Sequence, residues 1–514
     1  MGWFEKVSAG RGVWLLTGLV ALVISTWTAF SAPGSWDDDA YIFFRYAQNF
    51  VAGEGLAFNA GETSFGVTSV LWTLVLGAFC WISRLETVAA AKILCVLLLS
   101  GSALLLTKLF IRRTQNLLLG LWAGFLTALH PTLLLYAVSG MEVALNLFLL
   151  SALAAAYFSE ERRKFFGLGI LIGLLFLTRP ENVVLIPIFA FLAFREQEKI
   201  GQKLAGLFIG ITLMALPWEL YFYFKTSLFL PPTREGKLLL FLPPLYGLNL
   251  EQFHQLELFD RFKLAAKVFS AFFQMRSALV FLPFLLLTGY FIGRRKIALT
   301  RFWLAGAAYA SGLVLLFAFF FPLVKLRYFI HLYPFLIFIS VLGIFHLWTL
   351  IRNRSRFFGS LFWARAGVAA LFLTIPLAGY VSARKYAGEV TKQEVRTEVG
   401  QWLKANSPIQ ARVALEPIGA IGYYSGRYIV DLGGLVQPEV WPYMADGHRS
   451  RTDSLLSFLE RENVDYLIDY SHHPWAGRVV DSFPEKFILV AQIRSIYSTP
   501  LYNSYDIFKI REQR

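Results

Sequence analysis

The sequence is poor in charge and in cysteine for its length. Of its 514 residues, 16% are charged and 56% are hydrophobic, and the mean hydropathy is +0.55. Soluble globular chains carry about 25% charged residues. The two cysteines, Cys80 and Cys95, lie in separate apolar runs, which excludes a disulfide framework and a zinc ribbon. The composition also excludes a chain that is mainly disordered, collagen-like or nucleic-acid-binding. We therefore predict a polytopic α-helical membrane protein.

Several common catalytic motifs are missing from the sequence. It contains no HExxH zinc motif, no Walker A loop, no GxSxG elbow and no dinucleotide fingerprint. These absences argue against a zinc peptidase, a P-loop NTPase, an α/β-hydrolase and a nicotinamide enzyme. We expect no organic cofactor, and the sequence leaves the binding of a divalent cation open.

Long apolar stretches predict about eleven transmembrane helices, since a helical span needs roughly 20 apolar residues. The predicted spans cover residues 13–30, 88–110, 116–138, 142–158, 165–178, 182–194, 204–224, 277–293, 302–322, 328–350 and 366–382. The stretch 67–83 is equally apolar, but one more crossing there would move the later basic loops to the other side of the membrane. We therefore predict that it is an interfacial or re-entrant helix.

The distribution of charge predicts the topology. The formal net charge is +14, and residues 384–514 contain equal numbers of basic and acidic residues, so the excess lies in residues 1–383. Basic loops face the cytoplasm in most membrane proteins. The sequence thus predicts a multi-pass protein of the inner or plasma membrane, with a cytoplasmic N-terminus and an extracytoplasmic (periplasmic) C-terminus.

Composition divides the chain into two predicted domains. Residues 1–383 form the transmembrane domain, with outer loops at 31–66 and 225–276, and residues 384–514 form a soluble α/β domain. Strands alternate with helices in the second domain, which is typical of an α/β fold. The predicted strands are 412–416, 428–431, 465–469, 487–493 and 505–510, and the predicted helices are 393–404 and 453–462.

An acidic run directly follows the first predicted span. Asp37, Asp38 and Asp39 precede an amphipathic stretch that predicts an interfacial helix. In one interpretation Asp39 is the N-cap of a helix that begins at Ala40, and the other two acids favour its N-terminus. In the other, one carboxylate acts as a general base or binds a cation at the membrane surface.

The predicted topology brings three further polar sites to the same outer side. They are Glu142, the segment Arg179-Pro180-Glu181, and the group Lys325, Arg327, Tyr328 and His331. Each has a structural interpretation as a first-turn acid, a snorkelling arginine or an interfacial anchor. Together they place acids and cations on one surface, which suits a reaction with an anionic lipid leaving group.

Five segments of the sequence resemble one known superfamily. They are DDDAYIFFRYAQNFVAGEGLAFNAGETSFGVTSVLW (37–72), SGMEVAL (139–145), LTRPE (177–181), KLRYFIHLYP (325–334) and GAIGYYSGRYIVDLGGL (419–435). In this order they resemble the integral-membrane C-type glycosyltransferases (GT-C), which use lipid-linked sugars. The resemblance is greatest to cell-wall terminal arabinofuranosyltransferases.

The resemblance implies an inverting glycosyltransferase that takes a sugar from a polyprenyl phosphate and passes it to a cell-envelope glycan, lipid or protein. The general base would be Asp39 or Asp38, and Glu142 would orient donor or acceptor. Cations would neutralise the leaving phosphate, and other side chains would bind substrate. The cations are Arg179, Lys325, Arg327 and Arg45, and the substrate-binding residues are Asp37, Tyr41, Glu62, Glu181, Tyr328 and His331.

Two other functions remain open from the sequence. A transporter or flippase of lipid-linked sugars would also need polar groups in a membrane. Such proteins tend to show inverted repeats and mid-membrane charges, and the sequence shows neither. A surface-polysaccharide polymerase or ligase would keep the lipid donor and change the acceptor.

Overall fold

The chain forms two compact units that interleave along the sequence. The computed structural model describes residues 12, 14–31, 34–35, 37–62, 64, 66–159, 164–196, 198–226, 233–274, 286, 301–322, 326–341, 343, 393–444, 452–470, 476–494 and 504–511. The first unit comprises Met1–Ser31, Lys92–Tyr221 and Arg261–Arg384, and the second comprises Ala32–Ala91, Phe222–Asp260 and Lys385–Arg514. Most of the two predicted outer loops thus belongs to the same unit as the C-terminal residues.

The first unit is helical throughout its described residues. Its α-helices, two of which begin or end in the second unit, are Leu15–Phe30, Thr87–Thr114, Leu117–Leu129, Pro131–Ala137, Val143–Tyr157, Lys164–Thr178, Leu185–Arg195, Ile200–Thr226, Arg301–Phe320 and residues 333–341. Two 3₁₀ helices, Pro180–Val184 and Leu326–Leu332, join or precede them. These segments follow the predicted spans closely.

Two of the described helices are long and apolar enough to cross a membrane by themselves. They are Thr87–Thr114 and Ile200–Thr226, and a third span results if Leu117–Leu129 and Pro131–Ala137, bent by 57°, count as one. Other apolar helices have 10–17 residues. Apart from residue 286, the predicted spans 277–293 and 366–382 lie outside the described residues, so the number eleven stays a prediction.

Prolines fix two helix breaks in the first unit. Pro131 follows His130, where the bent pair turns, and Pro180 follows Arg179, whose backbone is extended with φ −153° and ψ 120°. A proline disfavours helical backbone in the preceding residue and lacks an N–H to donate. The second break therefore places Arg179 between two helices rather than within one.

Small residues let the helices of the first unit approach closely, as is common in membrane proteins. A Cβ atom added to Gly124 would lie 2.0 Å from Thr107 Oγ1, and one added to Gly18 would lie 2.5 Å from the Leu104 side chain. The hydroxyls of Thr17 and Thr107 form a buried hydrogen bond of 2.9 Å. Close packing with an occasional polar pair thus holds these helices together.

The second unit contains a five-stranded sheet and surrounding helices. The strands are β1 (Arg412–Leu415), β2 (Tyr428–Asp431), β3 (Tyr466–Tyr470), β4 (Phe487–Arg494) and β5 (Ser504–Ile510). The helices, the third of which ends in the first unit, are Asp38–Ala52, Val70–Ser83, Leu258–Gln274, Thr233–Tyr246, Leu250–His254, residues 393–406, Ile418–Ser425, Trp441–Met444, Thr452–Arg461 and Ala476–Ser482, with 3₁₀ turns at Pro438–Val440 and Pro484–Lys486.

The sheet confirms the α/β prediction for the C-terminal residues. Its strand order is β2-β1-β3-β5-β4, with β1 parallel to β2 and β3, and β5 antiparallel to β3 and β4. All five strands lie within one residue of their predicted bounds at either end. Apolar residues of β1, β2 and β3 pack with those of the helix Thr452–Arg461 to form one buried core.

A buried carboxylate closes the loop after β2. Asp431 is fully buried, and its Oδ1 accepts from the N–H of Gly433 at 2.7 Å, while Oδ2 accepts from those of Leu435 and Val436 at 2.5 and 2.8 Å. Burial raises the pKa of Asp431 to about 6, and the amide donors offset only part of that rise.

This raised pKa predicts a pH-dependent stability. Folding favours protonated Asp431, so its stabilising contribution is complete below pH 3.8 and is lost as the pH rises through about 6. We expect this loss to lower the thermal midpoint of the purified protein, measured by circular dichroism, as the pH rises from 4 to 7. The Asp431→Asn variant should not show this part of the decrease. Parallel wild-type and variant curves would contradict the assignment.

Candidate active site

The acidic run begins a helix in the second unit. Asp37 has extended backbone and is the N-cap, because its Oδ1 accepts from Asp39 N–H at 3.2 Å. The helix begins at Asp38, so the prediction that Asp39 caps a helix starting at Ala40 is wrong. An N-cap side chain accepts from a backbone N–H in the first turn that has no partner within the helix. Here that side chain belongs to Asp37. All three carboxylates are half-buried.

The Asp38 carboxylate contacts three donors within the second unit. Oδ2 accepts from the Gly419 N–H at 3.2 Å, Oδ1 accepts from the Ala420 N–H at 3.0 Å, and Arg396 Nη1 lies 3.4 Å from Oδ1. Burial raises the pKa of Asp38, while the ion pair and the two amide bonds offset part of the rise. Both oxygens of Asp38 are therefore engaged within the protein.

Arg45, predicted to bind the donor phosphate, is buried among carbonyl groups. Its Nε donates to Phe58 O at 2.6 Å, Nη1 to Gly422 O at 2.6 Å, and Nη2 to Arg427 O at 2.6 Å and to Asn59 Oδ1 at 3.1 Å. Its guanidinium thus connects the first outer loop with the C-terminal residues of the same unit.

Tyr41 and Glu62 likewise contact other parts of the second unit. Tyr41 is 1% exposed, and its hydroxyl accepts from the Ser35 N–H at 2.9 Å and lies 3.5 Å from the hydroxyl of Tyr424. Glu62 accepts a hydrogen bond from the hydroxyl of Tyr428. Both were predicted to bind substrate, and the structure places both in the contacts that connect the first outer loop to its surroundings.

The first unit contains a buried ionic triad. Arg179 Nη1 donates to Glu142 Oε1, and Nη2 donates to Glu181 Oε1 at 2.9 Å. Glu142 and Arg179 are 1% and 6% exposed. Burial alone would raise the pKa of Glu181, but the adjacent guanidinium outweighs it and lowers that pKa to about 2. Glu181 is therefore ionised at neutral pH.

Aromatic and basic side chains extend the triad. The Tyr328 ring lies 4.9 Å from the guanidinium carbon of Arg179 and 5.5 Å from that of Arg327, so both cations face one ring. Arg327 Nη1 also donates to Met141 Sδ at 3.4 Å. His331 is 2% exposed. Lys325, predicted beside them, lies outside the described residues.

Several buried polar atoms of this cluster have no hydrogen-bond partner within the described part of the chain. They are Glu142 Oε2, Glu181 Oε2, Arg179 Nε, and both ring nitrogens of His331. More than nine in ten buried polar groups in proteins are hydrogen-bonded. Such a concentration of unsatisfied acceptors and donors around one cation makes this cluster a candidate binding site for a polar ligand.

The described residues contain no group of three or more His, Cys, Asp or Glu side chains arranged to hold a metal ion. The carboxylates of the triad are instead bridged by Arg179. A guanidinium is a fixed positive charge that can bind carboxylate or phosphate oxygens.

Comparison with known proteins gives one matching domain family and several similar solved structures. Residues 384–508 match a family described as a domain of unknown function (DUF8728), and no curated protein sequence matches the chain. The structure is similar to that of ArnT from Cupriavidus metallidurans bound to undecaprenyl phosphate, with a TM-score of 0.55 and 10% identity over 97% of this chain and 98% of the other. It is also similar to an Archaeoglobus fulgidus oligosaccharyltransferase, with a TM-score of 0.53 and 14% identity over 91% and 70%.

The chain has the GT-C fold. The superfamily resemblance in the sequence is thus confirmed at the level of fold, and the fold agrees with a membrane-embedded protein. The finer resemblance to arabinofuranosyltransferases stays a prediction.

Sequence reasoning missed the amide network that holds the triad in place. Asn182 is fully buried, and its Nδ2 donates to Asn146 Oδ1 at 2.7 Å and to Leu175 O at 2.9 Å, while Tyr309 donates to its Oδ1 at 2.6 Å. It thus joins three helices directly after the Arg179 break. The signal was an asparagine in an otherwise apolar stretch, since polar residues there tend to be functional.

A buried lysine in the first unit was also not predicted. Lys92 is 3% exposed and lies in the helix Thr87–Thr114, with its Nζ 5.6 Å from the centre of the Phe30 ring. One turn further along the same helix, Cys95 contacts Met141 O, next to Glu142. The signal was a single lysine in the apolar run AAAKILC.

The amide network predicts a local stability effect. Asn182→Ala would leave Asn146 and Tyr309 without a buried partner, at a cost of about 1–3 kcal/mol for each unsatisfied group. We expect a lower thermal midpoint and weaker hydrogen-exchange protection in 179–184. Tyr309→Phe removes one donor only and should destabilise less. Equal effects of the two variants would contradict the central role of Asn182.

Proposed function

We propose that this protein is a membrane glycosyltransferase that transfers a sugar from a polyprenyl phosphate to a cell-envelope glycan, lipid or protein at the outer face of the membrane. The observation that carries the proposal is the buried Glu142–Arg179–Glu181 triad with its unsatisfied polar atoms. The likeness in fold to a protein bound to undecaprenyl phosphate supports the lipid donor.

The proposal assigns the donor phosphate to Arg179 and Arg327. Both guanidiniums lie against Tyr328, and Lys325 is two residues before Arg327 in the sequence. As the bond between the sugar carbon and the phosphate oxygen breaks, negative charge develops on the phosphate. Preorganised cations in apolar surroundings stabilise that charge more strongly than water-exposed ones. Tyr328 would shield the two guanidiniums from solvent.

The two carboxylates of the triad would recognise the sugar. Glu142 and Glu181 each keep one buried oxygen that accepts no hydrogen bond within the described residues. Sugar hydroxyls are donors of suitable geometry for these oxygens, whereas a phosphate alone has none at neutral pH. The ring nitrogens of His331 would add a further polar contact to the donor.

The general base in this proposal is Asp39. It takes the proton from the acceptor hydroxyl, the hydroxyl oxygen forms the new bond to the sugar carbon, and the old carbon–oxygen bond breaks on the opposite face. The electron pair leaves with the polyprenyl phosphate, so the configuration at the sugar carbon inverts. Asp39 is preferred because both oxygens of Asp38 already bind donors within the protein.

Three other predicted residues receive supporting assignments. Asp37 caps the helix that carries the base, while Tyr41 and Glu62 connect the first outer loop to the rest of its unit. We leave Arg45 out of the phosphate-binding set because four carbonyl-type acceptors occupy its guanidinium. A divalent cation is not needed for the proposed chemistry.

The test is transfer from a panel of radiolabelled polyprenyl-phosphate sugars by the purified protein. We expect one donor to yield labelled product together with free polyprenyl phosphate, and Asp39→Asn to lower kcat by about 10²–10⁴-fold, which is the usual contribution of general-base catalysis. Donor binding should remain near the wild-type value.

A matched control is Glu54→Gln, which neutralises an exposed acid in the same outer loop and should retain full activity. Full activity of Asp39→Asn would remove the base assignment. Movement of intact donor across vesicles without release of polyprenyl phosphate would favour a flippase and contradict the transferase.

A further inference from the structure

The short helix Ile418–Ser425 depends on the acidic run for its N-terminal cap. Its own N-cap residue is Pro417, which forms no side-chain cap. The free N–H groups of Gly419 and Ala420 donate instead to Asp38, a residue 381 and 382 positions earlier in the chain. A carboxylate at this end also complements the helix dipole.

A glycine makes this contact possible. A Cβ atom built on Gly419 would lie 2.0 Å from Asp38 O and 2.7 Å from Asp38 Cγ, closer than any real Cβ contact. The neighbouring atoms are backbone and a carboxyl group already held by other donors, so they cannot move aside at little cost. The position therefore accepts only glycine while the cap is in place.

The C-terminal end of the helix Ile418–Ser425 is bound by a cation. This cation lies on the same face of the helix Asp38–Ala52 as Asp38. Arg45 stands seven residues, or two turns, after Asp38, and donates to the carbonyls of Gly422 and Arg427. An acid therefore meets the N-terminal end and a base the C-terminal end, which is the arrangement a helix dipole favours.

A second cation fixes Asp38 from the side. Arg396 Nη1 lies 3.4 Å from Asp38 Oδ1, and its Nε donates to the hydroxyl of Tyr505 on β5 at 2.9 Å. Tyr505 is fully buried. The carboxylate is thereby tied to the sheet as well as to the short helix.

We propose that the helix Ile418–Ser425 is a positioning element for the acidic run, with Asp38 as its anchor and Asp39 as the base that it presents. The proposal rests on the proposed function. It gives a role to residues 384–508, which match the domain of unknown function.

The helical geometry explains how one acid can anchor and the next can react. Successive residues of an α-helix are rotated by about 100° around its axis, since there are 3.6 residues per turn. Asp39 therefore projects from a different side of the helix than Asp38, which faces Gly419. Fixing Asp38 therefore also fixes the direction in which Asp39 projects.

The experiment compares Asp38→Asn, Gly419→Ala and the double variant in full-length protein. The Asp38→Asn change keeps one acceptor oxygen and loses the ion pair with Arg396, whereas the Gly419→Ala change separates the two helices. We expect each single variant to lower kcat about tenfold with an unchanged KM for the lipid donor. Hydrogen exchange in residues 37–52 should rise in both.

Two features separate positioning from general damage. The double variant should lose little more activity than either single variant, because both changes break the same contact. Gly201→Ala, where an added Cβ meets no described atom within 4 Å, is the matched glycine control and should be active.

Two results would overturn the positioning role, and a third would remove only its catalytic purpose. Complete inactivity of Asp38→Asn, equal to that of Asp39→Asn, would make Asp38 the base. Wild-type kcat in Gly419→Ala would remove the positioning role. Failure of the wild type to use any lipid donor would remove the proposed function and with it the catalytic purpose of the helix, while raised exchange in 37–52 would still support the anchor itself.

Discussion

The buried ion pairs of Arg179 are the interaction on which the first unit depends. An isolated charge among apolar helices costs several kcal/mol, so Arg179 requires the two carboxylates that flank it, and each of them requires Arg179. The extended backbone before Pro180 brings the guanidinium to this position. The triad has two carboxylates for one guanidinium, and one oxygen of each glutamate accepts no hydrogen bond among the described residues. In our proposal, a polar ligand completes the hydrogen bonding.

The second unit also depends on charged side chains, but there they bind backbone groups. Its sheet and first outer loop are distant in sequence, and they are joined by charged side chains that bind backbone groups: Asp38 at the start of the helix Ile418–Ser425 and Arg45 at its end. Charge-assisted bonds of this kind are directional. They hold a loop in one orientation where apolar packing alone would permit several.

The sequence predicted secondary-structure elements well, because their patterns are local. It predicted contacts between distant parts of the chain poorly. Short strand-like runs were sufficient to predict all five strands, and Pro180 indicated the break at Arg179. The predicted N-cap, Asp39, lies two positions after the observed one, Asp37, because both are aspartates and aspartate is a favoured N-cap residue. The role of Arg45 was invisible, since its acceptors are backbone carbonyls up to 382 residues away. The network of Asn182 likewise depends on helices that only the fold brings together.

The most direct measurement of the central claim is the affinity of purified protein for undecaprenyl phosphate with Glu142 intact and with Glu142→Gln. This change removes the carboxylate that neutralises Arg179 and preserves its size. If Arg179 binds the phosphate, the variant should bind the lipid about tenfold more tightly, equivalent to about 1.4 kcal/mol, a gain that general damage cannot imitate. Glu251→Gln, an exposed acid of the second unit, should bind as the wild type does. Unchanged or weaker binding by Glu142→Gln would contradict the account.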